Sequence, residues 1–208
     1  MSKTRPILTL TTDFGTKEAY VSAMKGVIYG IYPHITLVDI SHNIVRHNIL
    51  QGAFVVAQAS QYFPVGTIHL IVIDPGVGTS RRRIIVQSKR GLYVCPDNGV
   101  LSFIFEQEGF VQAVEITNER YMLPNPSRTF EGRDVFAPVA AYLAKGISLD
   151  EFGPSVENLV KIVREAPVKT DGGILGNIIH IDGFGNIITN IPPNYLRDRS
   201  LAKKLRSL

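Results

Sequence analysis

Cysteine occurs once, tryptophan not at all and methionine three times in this chain of 208 residues. A single cysteine leaves no disulfide framework and no cysteine-based metal site. It lies in the apolar run LYVCP, where the expectation for Cys95 is a small buried thiol with no base beside it. No stretch approaches the roughly 18–20 uncharged apolar residues that a bilayer-spanning helix needs. The opening MSKTRPILTL passes straight into a strand pattern instead of a signal peptide. A cytoplasmic protein with no membrane partner is therefore the expectation. Repeats and low-complexity segments are absent as well. What remains is ordinary globular material, 45% apolar and 19% charged, enough to bury one main core with a small appendage.

Charge of one sign is scarce outside one place. The formal charge is +4, but five of the 22 basic residues and only one of the 18 acidic ones lie between Tyr195 and Leu208, so the remaining 17 and 17 cancel. The basicity belongs to a tail. The body carries no basic stripe with interleaved aromatics, and no nucleic-acid partner is expected.

Apolar runs bounded by turn residues alternate with stretches of helical period, the pattern of an α/β domain with a mainly parallel sheet. Strands are expected at Ile7 to Thr12, Ile35 to Ile40, Ile68 to Ile73, Ile84 to Val86, Tyr93 to Cys95 and Val111 to Ile116. Helices are expected at Glu18 to Tyr32, Ile49 to Tyr62, Val100 to Glu106 and Val135 to Ala144. After the loop-like EAPVKTDGG the texture changes. Two β-branched runs flank Asp182-Gly183-Phe184-Gly185-Asn186, which reads as a hairpin opening a second, β-rich unit. The expected division is a catalytic α/β domain over residues 1–165 and a short β-rich C-terminal domain with a basic tail over 166–208.

Acidic residues stand at the expected C-terminal ends of successive strands: Asp13, Asp39, Asp74 and Asp97. In an open α/β sheet that edge binds ligands, and four carboxylates along it point to a site, although any one of them alone reads as a cap or turn residue. The segment Asp74-Pro75-Gly76-Val77-Gly78-Thr79-Ser80-Arg81 is the most informative. A carboxylate leaves a buried strand, two glycines bring backbone in close, and an arginine returns toward the carboxylate. A second polar loop, Ser127 to Asp134, opens a helix, and its Gly132 again permits close approach of backbone to ligand. Arg133 and Asp134 flank that helix start, where a capping role is the plainer reading.

Taken in order, Thr12-Asp13-Phe14-Gly15, Asp39-Ile40-Ser41-His42, Asp74 to Arg81, Pro96-Asp97-Asn98-Gly99, Thr129 to Asp134 and Asp182 to Asn190 resemble the S-adenosylmethionine hydroxide adenosyltransferases, a family related to the bacterial fluorinase and chlorinase. The resemblance implies a homotrimer with each site between the large domain of one subunit and the small domain of its neighbour. It implies that Asp13 holds the ribose hydroxyls, Asp182 the methionine amino group, and Asn186 with Phe184 the adenine side. Phe130 and Gly132 belong to the substrate pocket by the same match. Asp74 and Arg81 match the pair that handles a water nucleophile, whereas the halogenases carry tyrosine at the position of Asp74. Where the family usually has histidine before Gly-Arg-Asp, this chain has Glu131, which takes the third catalytic position. The family's small domain normally continues past the position of Leu208, so the unit reads as short.

The implied reaction is hydrolysis of S-adenosylmethionine to adenosine and methionine. The sulfonium is already a good leaving group, so neither a cofactor nor a metal is expected. Two rivals are a metal-dependent phosphoesterase using Asp13, Asp74 and Asp97, and a sensor that binds adenosine or S-adenosylmethionine without turnover.

Overall fold

The computed structural model describes residues 5–171 and 173–196. These fall into two compact units, the first ending at Ile162 and the second beginning at Val163. The boundary lies three residues before the expected one for a specific reason. The Val160 N–H donates to Asp97 Oδ1 at 2.9 Å and the Ile162 N–H to Ser102 Oγ at 2.8 Å, so the chain is tied to the first unit up to that point.

The first unit is built on a six-stranded sheet. Its strands are β1 (Ile7–Thr12), β2 (Thr36–Ser41), β3 (Thr67–Val72), β4 (Arg83–Gln87), β5 (Gly91–Pro96) and β6 (Gln112–Glu115), in the order β2-β1-β3-β5-β4-β6. The pairs β1/β2, β1/β3 and β3/β5 are parallel, and only β4 runs against its neighbours. All six residues of β3 are buried, as a central strand covered on both faces requires.

Helices α1 (Tyr20–Ile31) and α4 (Ala137–Ala144) meet over one face of the sheet. Leu8, Leu10, Leu70 and Val72 share a core there with Met24 and Ile28 of α1 and with Val139 and Ala140 of α4. Helices α2 (Ile49–Ser60) and α3 (Ser102–Gln107) meet over the other. The Asn48 side chain caps α2 by accepting from the Gln51 N–H at 2.9 Å. Gly52 lies so close to the end of β3 that a Cβ there would stand 2.2 Å from Ile73 Cδ1.

The helical segment that ends in α4 starts earlier than expected. A wide π-type turn over Gly132–Phe136 precedes α4. Pro138 has no N–H to give to the carbonyl four residues back, which is that of Asp134, and that carbonyl accepts from the Leu123 N–H at 2.8 Å instead.

The second unit pairs β7 (Val168–Thr170) with β8 (Gly173–Leu175), and β9 (Ile178–Ile181) with β10 (Ile187–Thr189), both antiparallel, followed by α5 (Pro193–Leu196). The expected hairpin is β9–β10. Its turn is closed by the Asp182 N–H donating to the Asn186 carbonyl at 3.0 Å, with Gly185 at a φ of 85° that glycine adopts freely. The basic tail beyond Leu196 lies outside the described residues.

Candidate active site

The C-terminal edge of the parallel strands carries a cavity of about 300 Å³ in the first unit. Asp13 enters it directly after β1. Its carboxylate is buried and Oδ2 accepts the His47 N–H at 2.8 Å, a bond that His47 reaches by adopting a φ of 65°. Asp74 enters two residues after β3. Successive tight turns fold the chain back on itself, the Val77 N–H to the Asp74 carbonyl and the Thr79 N–H to the Gly76 carbonyl, and these return Arg81 to Asp74. Arg81 Nε lies 3.0 Å from both Asp74 oxygens, and Nη2 donates to Asp74 Oδ2.

The same Nη2 also donates to Glu131 Oε2, so one nitrogen links two carboxylates from separate loops. Asp74, Arg81 and Glu131 are 5%, 11% and 12% exposed, which makes this a largely dry cluster. Burial acts to strip the proton from Arg81, but the bonds to Asp74 and Glu131 and their charges outweigh it and raise its proton affinity. The guanidinium also lies 5.5 Å from the centroid of the Phe136 ring. Arg83 Nη1 stands 3.8 Å from Glu131 Oε1 and brings the group of two carboxylates and two guanidiniums to neutrality.

One wall of the cavity is aromatic. Phe14, Tyr20 and Phe130 pack on one another with ring centroids 5.1 to 5.9 Å apart. Arg133 covers the Phe130 ring at 5.0 Å while its Nε donates to Asp134 Oδ1 at 2.6 Å. Asp134 Oδ2 accepts the Ser127 N–H at 2.8 Å. Arg133 and Asp134 therefore staple the loop that carries Phe130 and Glu131, and the hydrogen bond from Arg133 holds the Asp134 carboxyl below its ordinary range.

Asp13, Asp74, Phe130, Glu131 and Gly132 all line this cavity, and Arg81 backs it. Of the four acids on the strand edge, Asp13 and Asp74 line this cavity and Asp39 and Asp97 do not. Asp39 is bonded to Lys25 at 2.6 Å and lies 3.0 Å from His42 Nε2. Asp97 takes both Arg82 Nε and Nη2 and accepts the Val160 N–H, so each of these two carboxylates is already engaged, Asp39 with a lysine of α1 and Asp97 with the segment at Val160. Among the described residues, no three His, Cys, Asp or Glu side chains converge as metal ligands, and the Asp13, Asp74 and Asp97 set required by the phosphoesterase rival is not assembled. Nor is any described helix long and apolar enough to cross a membrane.

Asp182, Phe184 and Asn186 belong to the β9–β10 turn of the second unit. Asp182 Oδ1 accepts the N–H groups of Phe184 and Asn186 at 2.9 and 2.8 Å, and Oδ2 accepts Asn186 Nδ2 at 2.7 Å. These bonds, that of the Asn186 side chain first, hold the Asp182 carboxyl below its usual range. Phe184 is 94% exposed.

Sequence reasoning gave no role to Phe14, Tyr20, Arg46, His47 or Val77, all of which line the cavity. Phe14 and Val77 sit inside motifs already singled out. Arg46 and His47 stand just ahead of the Asn48 cap, and polar residues there, on the ligand-binding edge, were the available signal.

Residues 8–153 match the SAM hydroxide adenosyltransferase N-terminal domain, and residues 176–207 match the C-terminal domain of the same family. The chain is 44% identical over 190 residues to the (R)-S-adenosyl-L-methionine hydrolase of Methanocaldococcus jannaschii, an alignment that covers 89% of this chain and 66% of that protein. It is 40% identical over 185 residues to the hydrolase of the same name from Salinispora tropica, covering 88% and 70% of the two chains. The crystal structure of an uncharacterized conserved protein from Thermotoga maritima superposes with a TM-score of 0.86 at 39% identity, over 93% of this chain and 74% of that one. With both domains matched, the chain belongs to the SAM hydroxide adenosyltransferase family.

Proposed function

We propose that this protein hydrolyses S-adenosylmethionine to adenosine and methionine by attack of water on C5′ of the ribose. The observation that carries the reading is Asp74, whose buried carboxylate lines the cavity while Arg81 fixes both its oxygens. A site whose substrate carries its own leaving group needs a nucleophile more than an acid. Free hydroxide is out of reach for a carboxylate base. Water is so much weaker an acid than a carboxylic acid that complete prior transfer costs roughly 16 kcal/mol.

Asp74 instead orients the water and takes its proton while the C5′–O bond forms and the C5′–S bond breaks, the bonding pair passing to sulfur. Arg81 holds the carboxylate in register. Asp13, kept in place by the His47 N–H, accepts from the ribose hydroxyls. The rings of Phe14, Tyr20 and Phe130, with Gly132 beside them, give the sulfonium and nucleoside an apolar face that attracts a cation.

The same reading makes the enzyme cytoplasmic, cofactor-free and homotrimeric, with Asp182, Phe184 and Asn186 of each small domain completing the site of a neighbouring copy. The exposure of Phe184, together with Ile178, Ile181 and Ile187 at 55% or more, supports a partner for that hairpin. The names of the hydrolase relatives specify the (R) sulfonium, and both epimers belong in the assay.

Pure protein is incubated with S-adenosylmethionine in oxygen-18 water, with and without EDTA, and the products are separated and weighed. Equal adenosine and methionine, label in the 5′-hydroxyl and indifference to EDTA are expected. Methylthioadenosine, label elsewhere, or binding without turnover refutes the proposal.

A further inference from the structure

Glu131 lies between two spaces. On one side is the cavity of Asp13 and Asp74. On the other is a separate polar chamber of about 360 Å³, bounded by Gly78, Ser80, Arg81, Arg83, Arg128 and Glu131. Asp74 lines only the first, Arg81 only the second, and Glu131 both.

The hydrolysis proposed above has a proton to dispose of. A cationic sulfonium and water become neutral adenosine, zwitterionic methionine and one proton, and that proton begins on Asp74. The cavity in front of Asp74 holds products at that moment, and the Asp74 side chain is 5% exposed. Arg81 touches it but is a guanidinium whose proton affinity is raised further here, so it does not act as a carrier. The next group able to accept is Glu131, bonded to the same guanidinium nitrogen.

We propose that Glu131 is the proton outlet of the site, receiving the proton from Asp74 and passing it to water in the chamber behind Arg81. The transfer is a plain exchange. One O–H bond of the Asp74 carboxyl breaks, one forms on Glu131 through an intervening water, and the chamber returns Glu131 to its carboxylate form. The charged groups that face Glu131 suit this duty. Arg81 and Arg83 approach its two oxygens, and Arg128 and Glu115 complete the chamber wall.

The inference rests on the hydrolase reading, and the experiment separates the two. Wild type, Glu131→Gln and Glu131→His are followed through a first turnover and through steady state, in weakly buffered solution at constant pH and ionic strength, with increasing imidazole. For Glu131→Gln the first adenosine per site carries only the loss that follows from the missing bond to Arg81, and that loss does not respond to imidazole. Later turnovers slow by about tenfold or more, within the range for loss of a proton-transfer group, and imidazole restores them. Glu131→His, which carries protons itself, needs no imidazole.

A first turnover slowed as much as the later ones and blind to imidazole means that Glu131 only positions Arg81, and overturns the outlet. Wild-type steady-state turnover in Glu131→Gln overturns it as well. If Glu131→Gln does not fold, the outlet stands on Glu131→His alone and fails if that protein shows a slow second turnover. Wild type that forms no adenosine removes the hydrolase reading first, and the outlet with it.

Discussion

A single methyl group at Gly78 tests whether the two active-site loops act as one body. Gly78 has a φ of +78°, and a Cβ built on it would stand 2.8 Å from the Arg128 carbonyl oxygen. That carbonyl lies three residues before Glu131 and two before Phe130. Gly78→Ala therefore incurs the left-handed backbone penalty of roughly 1–2 kcal/mol for a residue with a Cβ. It also forces the backbone of the 127–131 loop away by several tenths of an ångström, since neither contacting atom is the end of a flexible side chain. The two contributions together give a destabilisation of about 2–4 kcal/mol. Displacement of Glu131 and Phe130 also costs activity, because a misplacement near 1 Å is enough for about a hundredfold. Chemical denaturation reads the first effect, and adenosine formation at saturating substrate reads the second. Gly78→Ala that keeps both wild-type stability and wild-type turnover refutes the claim that this contact sets the geometry.

Asp74→Asn keeps the shape of the side chain but removes the proton acceptor, so turnover falls by roughly 10² to 10⁴ with little change in substrate binding, measured by kcat and by calorimetry. A wild-type kcat would reduce Asp74 to a structural residue. His69 gives the pH prediction for stability. Its ring is buried, stacks on Tyr93 at 4.8 Å and pairs through Nδ1 with Thr9 Oγ1 at 2.8 Å, and burial pushes its pKa down from 6.5 to about 4. The unfolded chain takes up a proton near pH 6.5 that the folded chain refuses until about pH 4, so stability from this group is complete above 6.5 and declines as pH falls through that window. The loss is about 3 kcal/mol. Denaturation midpoints at pH 7 and 4.5 measure it, and His69→Phe flattens the acid limb; an unchanged limb removes His69 as its source.

The strands were legible because each buried run is short, β-branched and ended by turn residues, and the expected positions of β1, β3 and β5 agree with the observed ones to within about two residues. The Asp74–Arg81 pair was legible for the same local reason. Both residues sit on one loop whose glycines announce a return, and seven positions separate them. Glu131 is 50 residues from Arg81, and nothing in its own segment shows that the side chain turns inward. Only the family resemblance suggested its place. His47 was legible only as a polar residue on the binding edge, because its contribution to Asp13 is a backbone N–H set by a positive φ that no residue type at that position announces. The π-type turn was missed because Pro138 reads as an ordinary early-helix proline, whereas its effect depends on Leu123 being in place to take the carbonyl it leaves free.

The four strand-end acids show why a shared edge is too coarse a criterion. Asp13, Asp74 and Asp97 are in the expected kind of position and Asp39 lies inside β2, and the four differ in what holds them. Lys25 and His42 engage Asp39, and Asp97 takes an arginine and a backbone N–H to fasten a loop. Asp74 is also paired with an arginine, so ion pairing alone does not separate a structural carboxylate from a working one. What separates them is the other face of the pair. Asp97 has its loop behind it, whereas Asp74 has a cavity in front and, behind Arg81, a second carboxylate with its own polar space. A guanidinium between two carboxylates fixes both without neutralising either by proton transfer. That leaves Asp74 free to take a proton from the front and Glu131 free to release it at the back.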